Sequence, residues 1–337
     1  MHIFMIGGTG LIGSEAAREL LARGHTVTTL ALPPLPTGAV LPPNLEIEYG
    51  NYLKMSDEEI KTRLSGCKGF VFAAGIDERF EGPPPIYDSY KKYNIDPVKR
   101  LLTLARESGV KHTVILGSYF AYFNKLWPDM ELTKWHPYIR SRRDQEEVAL
   151  SFADNNFAVA VLELPYIFGV QPGRKPVWVF LVEMIRGMKK VTLFPKGGTT
   201  MVTVHQVGQA VAGALERNEG GHCYPIGYYN MQWKELLTII HRYLGCPDKK
   251  ILTIPNWLFG IGIRKIMREQ KKRNIEGGLN LDKFTALQCS KQYIDKSLGC
   301  EILGVESDDI EKAIGESILL CLDIIDKQVE TVAMKAE

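Results

Sequence analysis

What the chain lacks narrows the reading first. Its six cysteines, Cys67, Cys223, Cys246, Cys289, Cys300 and Cys321, are scattered and never form a C-x-x-C pair. Neither a disulfide framework nor a zinc site is indicated, and no metal is expected. A reduced, cytoplasmic setting is the expected location; the opening "HIFMIGGTG" carries no basic leader or cleavage-site pattern. No uninterrupted apolar run approaches the roughly 18 residues of a membrane-spanning helix, and "FAVAVLELPYIFGV" is broken by Glu163 and Pro165. An excess of one charge is also missing: 41 Lys and Arg stand against 39 Asp and Glu, too balanced for a nucleic-acid protein. There is no internal repeat or low-complexity tract. What remains is a chain of 337 residues, 45% hydrophobic and 24% charged, which suits an ample core in one large or two intimate domains. The expected partner is a small-molecule substrate, with no nucleic acid and no membrane.

Strand and helix signals alternate along the first half. Residues 2–6 are an apolar run ending in Gly7, Gly8, Gly10 and Gly13, and "SEAARELLARG" follows with a helical period, stopping at Gly24. "HTVTTLAL" and "NLEIEYGNY" read as the second and third strands, separated by the proline-rich "PPLPTGAVLPP". "SDEEIKTRLSGC" has Ser56 as N-cap and an acidic first turn. "GFVFAAG" is a fourth strand, buried on both faces; "YKKYNIDPVKRLLTLARESG" is a helix with Pro97 inside it; "KHTVILGS" is a fifth strand. A helix carrying Tyr138 and Arg142 is expected next, then "FAVAVLELPYIFG" as a sixth strand and loop. Buried strands alternating with helices predict an α/β, Rossmann-like, doubly wound parallel sheet. After about Gly169 the segments become irregular and richer in aromatics and proline, which predicts a smaller, mainly helical C-terminal cap over the carboxyl edge of the sheet.

Two features carry chemistry. The first is "GGTGLIG" between a strand and a helix. Glycines there let the backbone turn tightly and approach a pyrophosphate seated on the helix N-terminus. The string satisfies both Gly8-x-Gly10-x-x-Gly13 and Gly7-x-x-Gly10-x-x-Gly13. The second is "HPYIRSRR", which sets Tyr138 and Arg142 four apart on one helix face. A free phenol, with a pKa near 10, is a poor acid or base at neutral pH, and a fixed cation beside it lowers that value. Ser118, at the end of the fifth strand, is placed to orient a carbonyl and share developing oxyanion charge.

With these residues in view, the chain resembles the extended short-chain dehydrogenase/reductases, the epimerase/dehydratase family, in its hydroxysteroid-dehydrogenase and dihydroflavonol-reductase-like branch. "GGTGLIG", "GNYLKMSDEEIKTRLSGCKGFVFAAG", "YNIDPVKRLLTLARESGVKHTVILGS", "LPYIFGV" and "TVHQVGQAVAGALE" are similar to successive blocks of that family. The resemblance implies an NAD(P)-dependent enzyme with Ser118 orienting a carbonyl, Tyr138 as acid/base, and Arg142 where the family carries lysine. It implies cofactor contacts from Gly7, Thr9, Gly10, Leu11, Ile12, Gly13, Asn51, Tyr52, Ala73, Ala74, Gly75, Asn94, Arg142, Pro165 and Ile167. It further implies an NAD(P)-binding domain over residues 1–168, with a part-return near 200–227, and a substrate-binding cap over 169–199 and 228–325. Dimerisation is common in the family; no interface is legible in the sequence.

Arginine keeps the charge of lysine but is planar, bulkier and never deprotonates. The end of the second strand, "TLALPPLPTG", holds neither the acid that binds a ribose 2′-OH nor an arginine for a 2′-phosphate, so the choice between NAD and NADP stays open. Relatives acting on nucleotide sugars carry arginines where this chain has Glu163 and Met201, which counts against a diphosphate substrate. Trp178, Phe180, Trp233, Trp257 and Phe259 favour an apolar or aromatic carbonyl or alcohol, and each also suits ordinary core. Glu163, if it faces the pocket, favours a cationic or hydroxyl-bearing substrate. "NWLFGIGIRKIMREQKKRN" reads as lid or core rather than a membrane-surface helix, because Gly260 and Gly262 weaken it. Three functions stay open: a reductase or dehydrogenase, an epimerase or dehydratase that recycles its cofactor, and a cofactor-binding protein with a degenerate catalytic site.

Overall fold

The computed structural model describes residues 1–35, 38–258, 267–270, 272–326 and 331. Seven strands form the central sheet: β1 (His2–Ile6), β2 (Thr26–Ala31), β3 (Glu46–Tyr49), β4 (Gly69–Phe72), β5 (His112–Leu116), β6 (Ala158–Glu163) and β7 (Gly221–Pro225). Their order is β7-β6-β5-β4-β1-β2-β3, with every pairing parallel. Parallel neighbours need crossover helices, which cover both faces, so the strands can be apolar throughout. Ile3, Met5, Val71, Val114 and Ala160 pack on one side of the sheet. Phe4, Phe70, Phe72, Ile115 and Val161 pack on the other. The chain reverses direction across the sheet between β1 and β4, which opens a crevice at the carboxyl ends of those strands.

On the first face, α1 (Leu11–Ala22) packs against α9 (Val204–Arg217) through Ala16, Ala17 and Leu20 against Val207, Ala210 and Val211. A Cβ on Gly208 would sit 3.0 Å from the Glu15 carbonyl, so the two helices approach closely. On the second face lie α2 (Asp57–Leu64), started by the reciprocal Ser56–Glu59 capping box, α4 (Asp96–Glu107) and α7 (Pro137–Leu150).

Two stretches differ from the sequence expectation. The helix spanning Pro97 begins earlier, as α3 (Ile86–Tyr90), and widens into a π-helical turn at Lys91–Ile95 before α4. Proline lacks the N–H of a regular helix and its ring crowds the carbonyl four residues back; the wide turn immediately before it takes up that misfit. Between β5 and the helix of Tyr138, the chain forms α5 (Tyr119–Leu126), a 3₁₀ turn (Pro128–Met130) and α6 (Leu132–Trp135). Aromatic residues there obscure the helical period because Tyr119, Phe120 and Phe123 are all buried in one aromatic cluster.

Toward the C-terminus, α8 (Val179–Gly187), α10 (Trp233–Tyr243) and the helix Ile310–Ile325 enclose a separate core around Phe168, Trp178 and Trp233. Beside them, Tyr166–Phe168, Gly198–Thr203, Tyr229–Gln232 and Lys291–Gln292 form a small mixed sheet that the sequence does not announce. Among the described residues, no helix is long and apolar enough to cross a membrane, and no cluster of His, Cys, Asp and Glu is placed to hold a metal.

Candidate cofactor and proton-transfer site

The glycine turn forms the floor of the crevice. Gly7 adopts a φ of 92°, and a Cβ there would lie 2.4 Å from the Ala73 carbonyl, so β1 and β4 leave space for glycine alone. Gly13 brings the first turn of α1 onto the loop: its Cβ would lie 2.1 Å from the Gly7 carbonyl. Gly10 is the N-cap of α1, which has no side-chain cap and no acid in its first turn. A Cβ at Gly10 would meet only the Gly7 carbonyl at 3.3 Å, so its outer face is open. An uncapped helix N-terminus facing a cleft is an anion seat. The residues present therefore fit a dinucleotide pyrophosphate.

A cleft of about 170 Å³, open to solvent, lies over this turn. Of the predicted contacts, Gly7, Thr9, Gly10, Tyr52, Ala73, Ala74 and Gly75 line it. Leu11, Ile12 and Gly13 form the first turn of α1. Pro165 and Ile167 do not line the cleft; the Ile167 carbonyl accepts from the Trp178 indole at 3.0 Å. The Asn51 carboxamide accepts from the Leu53 N–H at 2.9 Å and shapes the loop after β3. Leu32, Pro33 and Pro34 line the far end, with no acid or cation among them. Arg174 lines the cleft as well; nothing in the spacing of "VQPGRKP" announces it.

Beside this cleft, three predicted residues meet. Ser118 caps α5, and Tyr138 and Arg142 lie on α7. The Arg142 guanidinium stands over the Tyr138 ring, 5.2 Å from its centroid. It donates to the Leu116 carbonyl at 3.3 Å, to the Ile76 carbonyl at 3.2 Å and to Gln145 Oε1 at 3.0 Å. Arginine thus staples the ends of β4 and β5 with its fork, which one ammonium could not do. Asn94, in the π turn, grips Ile76 at both its N–H (2.9 Å) and its carbonyl (3.0 Å), and Gln145 donates to the Asn94 carbonyl at 2.7 Å. Gln145 was discoverable as the i+3 neighbour of Arg142; Asn94 serves the loop and does not line the cleft.

Burial raises the Tyr138 phenol above its usual value; Arg142 opposes this, Glu78 adds to it, and a hydrogen bond with Ser118 again opposes it. The phenol is therefore in its protonated, donating form at neutral pH. Ser118 and Tyr138 are each only 4% exposed and sit behind the strap Ile76–Phe80 instead of lining the open cleft. That strap is fastened twice: the Tyr90 hydroxyl donates to the Asp77 carbonyl at 2.9 Å, and Arg79, paired with Asp77, donates to the Val177 carbonyl at 3.0 Å. A second cleft, lined by Asp77, Arg79, Phe80, Val177, Phe180 and Glu183, shares Gly75 and Ile76 with the first. From the C-terminal side, the Gly278 carbonyl accepts from the Tyr138 N–H at 2.9 Å.

Several sequence expectations resolve differently. Glu163 does not face the pocket. It is fully buried, with Lys125 Nζ 2.7 Å from its carboxyl and Glu146 alongside. Trp178 and Trp233 are core, and the Trp233 indole donates to the Gln288 carbonyl at 2.8 Å. Met201 is core too. Phe180 borders the second cleft, and Trp257 is exposed. Phe259, Gly260 and Gly262 lie outside the described residues.

Comparison with known proteins agrees with this geometry. Residues 7–156 match the family model described as NAD(P)H-binding. Over 336 residues, the chain is 21% identical to the "Putative dihydroflavonol 4-reductase" of Synechocystis sp., covering 94% of this chain and 93% of that one. It is similar in structure to a nucleoside-diphosphate-sugar epimerase from Pseudomonas aeruginosa (TM-score 0.67, 16% identity, 97% and 98% of the two chains). It is equally similar to a UDP-glucuronic acid 4-epimerase from Bacillus cereus in complex with UDP-glucuronic acid and NAD (TM-score 0.67, 14% identity, 96% and 100%). The NAD(P)H-binding match spans the glycine turn, Ser118, Tyr138 and Arg142. As a whole, the chain shares the fold of these two epimerases.

Proposed function

We propose that this chain is an NAD(P)-dependent reductase or dehydrogenase acting on a carbonyl or alcohol of a small substrate that is largely apolar or aromatic. The observation that carries the reading is the Arg142 guanidinium over the Tyr138 ring, beside the cleft that the glycine turn lines. A bound nicotinamide would supply or take up hydride. Gly7, Thr9, Gly10 and the first turn of α1 would hold its pyrophosphate. Tyr138 donates the proton to the carbonyl oxygen during reduction and removes it during oxidation. Ser118 hydrogen-bonds that oxygen as charge builds on it. Arg142 favours the phenolate that remains. The strap Ile76–Phe80 excludes water from the phenol and yields when substrate enters.

Support for a substrate other than a nucleotide sugar comes from Glu163 and Met201. An acid and a thioether stand where nucleotide-sugar relatives carry arginines, so neither position supplies the bidentate cation that a diphosphate prefers. The epimerase reading rests on the structural likeness alone. The deciding experiment follows nicotinamide absorbance while a panel of aromatic and aliphatic ketones is offered with NADH or NADPH. Stoichiometric consumption of added cofactor supports the proposal. Tightly retained NAD, with interconversion of a sugar and no net consumption, would replace it with the epimerase reading.

A further inference from the structure

Arg174 is the arginine that lines the cleft over the glycine turn. It lies in the turn after Phe168, where its N–H bonds back to the Gln171 carbonyl at 3.1 Å. Its guanidinium crosses to the glycine turn and donates to the Thr9 carbonyl at 3.3 Å. Gln171 donates to that same carbonyl and to the Ser14 hydroxyl, both at 3.1 Å. The C-terminal segment is thus pinned onto the N-terminus of α1. Arg174 Nε is buried without a hydrogen-bond partner, and no carboxylate pairs with the side chain among the described residues. Burial pushes its pKa down, as it does for a cation whose charge nothing offsets. The α1 N-terminus, with no acid in its first turn, is a second uncompensated positive end on the same cleft. Two such groups facing one space disfavour each other until an anion sits between them.

We infer that Arg174 is a cofactor-binding residue: it closes the glycine turn from the C-terminal side and donates to the pyrophosphate of the dinucleotide. This rests on the NAD(P) reading above. The pyrophosphate is the part of the cofactor that fits the place, because Arg174 is anchored on Thr9, next to the N-cap Gly10.

The test is calorimetric titration of the full chain, wild type and Arg174→Met, with NADH, NADPH and ADP-ribose, which keeps the pyrophosphate but lacks nicotinamide. The expected result is about 10- to 100-fold weaker binding of all three by a common factor. Arg174→Lys should recover part of the loss, and the salt dependence of binding should flatten in the Met variant. Without ligand, Arg174→Met should melt at the wild-type temperature or higher, because an unpaired charge has been removed. Unchanged affinities overturn the inference, and so does a loss confined to NADPH, which would move the contact to the 2′-phosphate. A lower ligand-free melting temperature with unchanged affinities would make Arg174 a structural strut. If wild type binds none of the three ligands, the NAD(P) reading itself falls, whatever the variants do.

Discussion

Helix α7 carries two buried charged clusters, one turn apart, that satisfy themselves in opposite ways. Toward the cleft, Arg142 meets only neutral acceptors: the Leu116 and Ile76 carbonyls and Gln145. It keeps its full charge and lends it to Tyr138. On the other flank, Glu146 faces Glu163 across from Lys125, whose Nζ lies 3.3 Å from Glu146 and 2.7 Å from Glu163. One cation cannot balance two buried carboxylates, so burial first and Glu163 second push the Glu146 carboxyl up to about 8. The first cluster preserves charge beside the proposed proton donor. The second gives charge up by holding a proton of its own. The difference shows that a buried ionic group is read from its partners: dipoles leave a charge intact, whereas a like charge neutralises it.

The sharpest way to break this contrast is Tyr138→Phe. It removes the proton donor and should lower kcat by about 10²- to 10⁴-fold. NADH affinity should stay within a few-fold, checked by fluorescence titration; near-normal turnover would sink the proposed role. Arg142→Met comes next. Losing its bonds to the Leu116 and Ile76 carbonyls and to Gln145 should cost about 1–3 kcal/mol in denaturant unfolding. Without its cation, the phenol titrates at still higher pH. Because oxidation needs the ionised phenol, the rise of the oxidation rate with pH should move upward by about one pH unit or more. A profile that does not move would mean Arg142 is only a staple. The smallest effect on turnover belongs to Glu146→Gln, which should leave kcat unaltered and change stability alone. A carboxyl whose folded pKa lies above its unfolded value binds the extra proton in the folded state. Wild-type stability should therefore fall as pH rises from about 4.5 to 8. The Gln variant should lose that fall, seen as a melting temperature nearly the same at pH 6 and at pH 9 while that of wild type drops. For a chain of this length, each kcal/mol recovered corresponds to about 1–2 °C.

Which parts were legible follows the same division between local and distant. "GGTGLIG" declares itself because the turn, the close approach and the helix start all lie within seven residues. Tyr138 and Arg142 declare themselves because helical spacing puts them on one face. Spacing does not say what that face meets. The Arg142 partners at Leu116 and Ile76 arrive from 26 and 66 residues away. Glu163 misled for a related reason: β6 is buried on both sides, so alternation could not tell pocket from interior. Arg174 looked like a loop residue until the fold carried it 165 residues back to Thr9. Aromatic residues were ambiguous because a large apolar side chain serves core and pocket alike: Trp178 went to one, Phe180 to the other.

The hydrogen bond from the Tyr138 N–H to the Gly278 carbonyl spans 140 residues of sequence, and it bears on how the protein is made. The glycine turn, Ser118 and Tyr138 all leave the ribosome well before Gly278 does. At about 5–20 residues per second, the first turn of α7 waits roughly 7–30 s for that partner. A nascent chain therefore completes the glycine turn well before Tyr138 gains this anchor, and the proposed proton donor is held in place only after Gly278 has emerged.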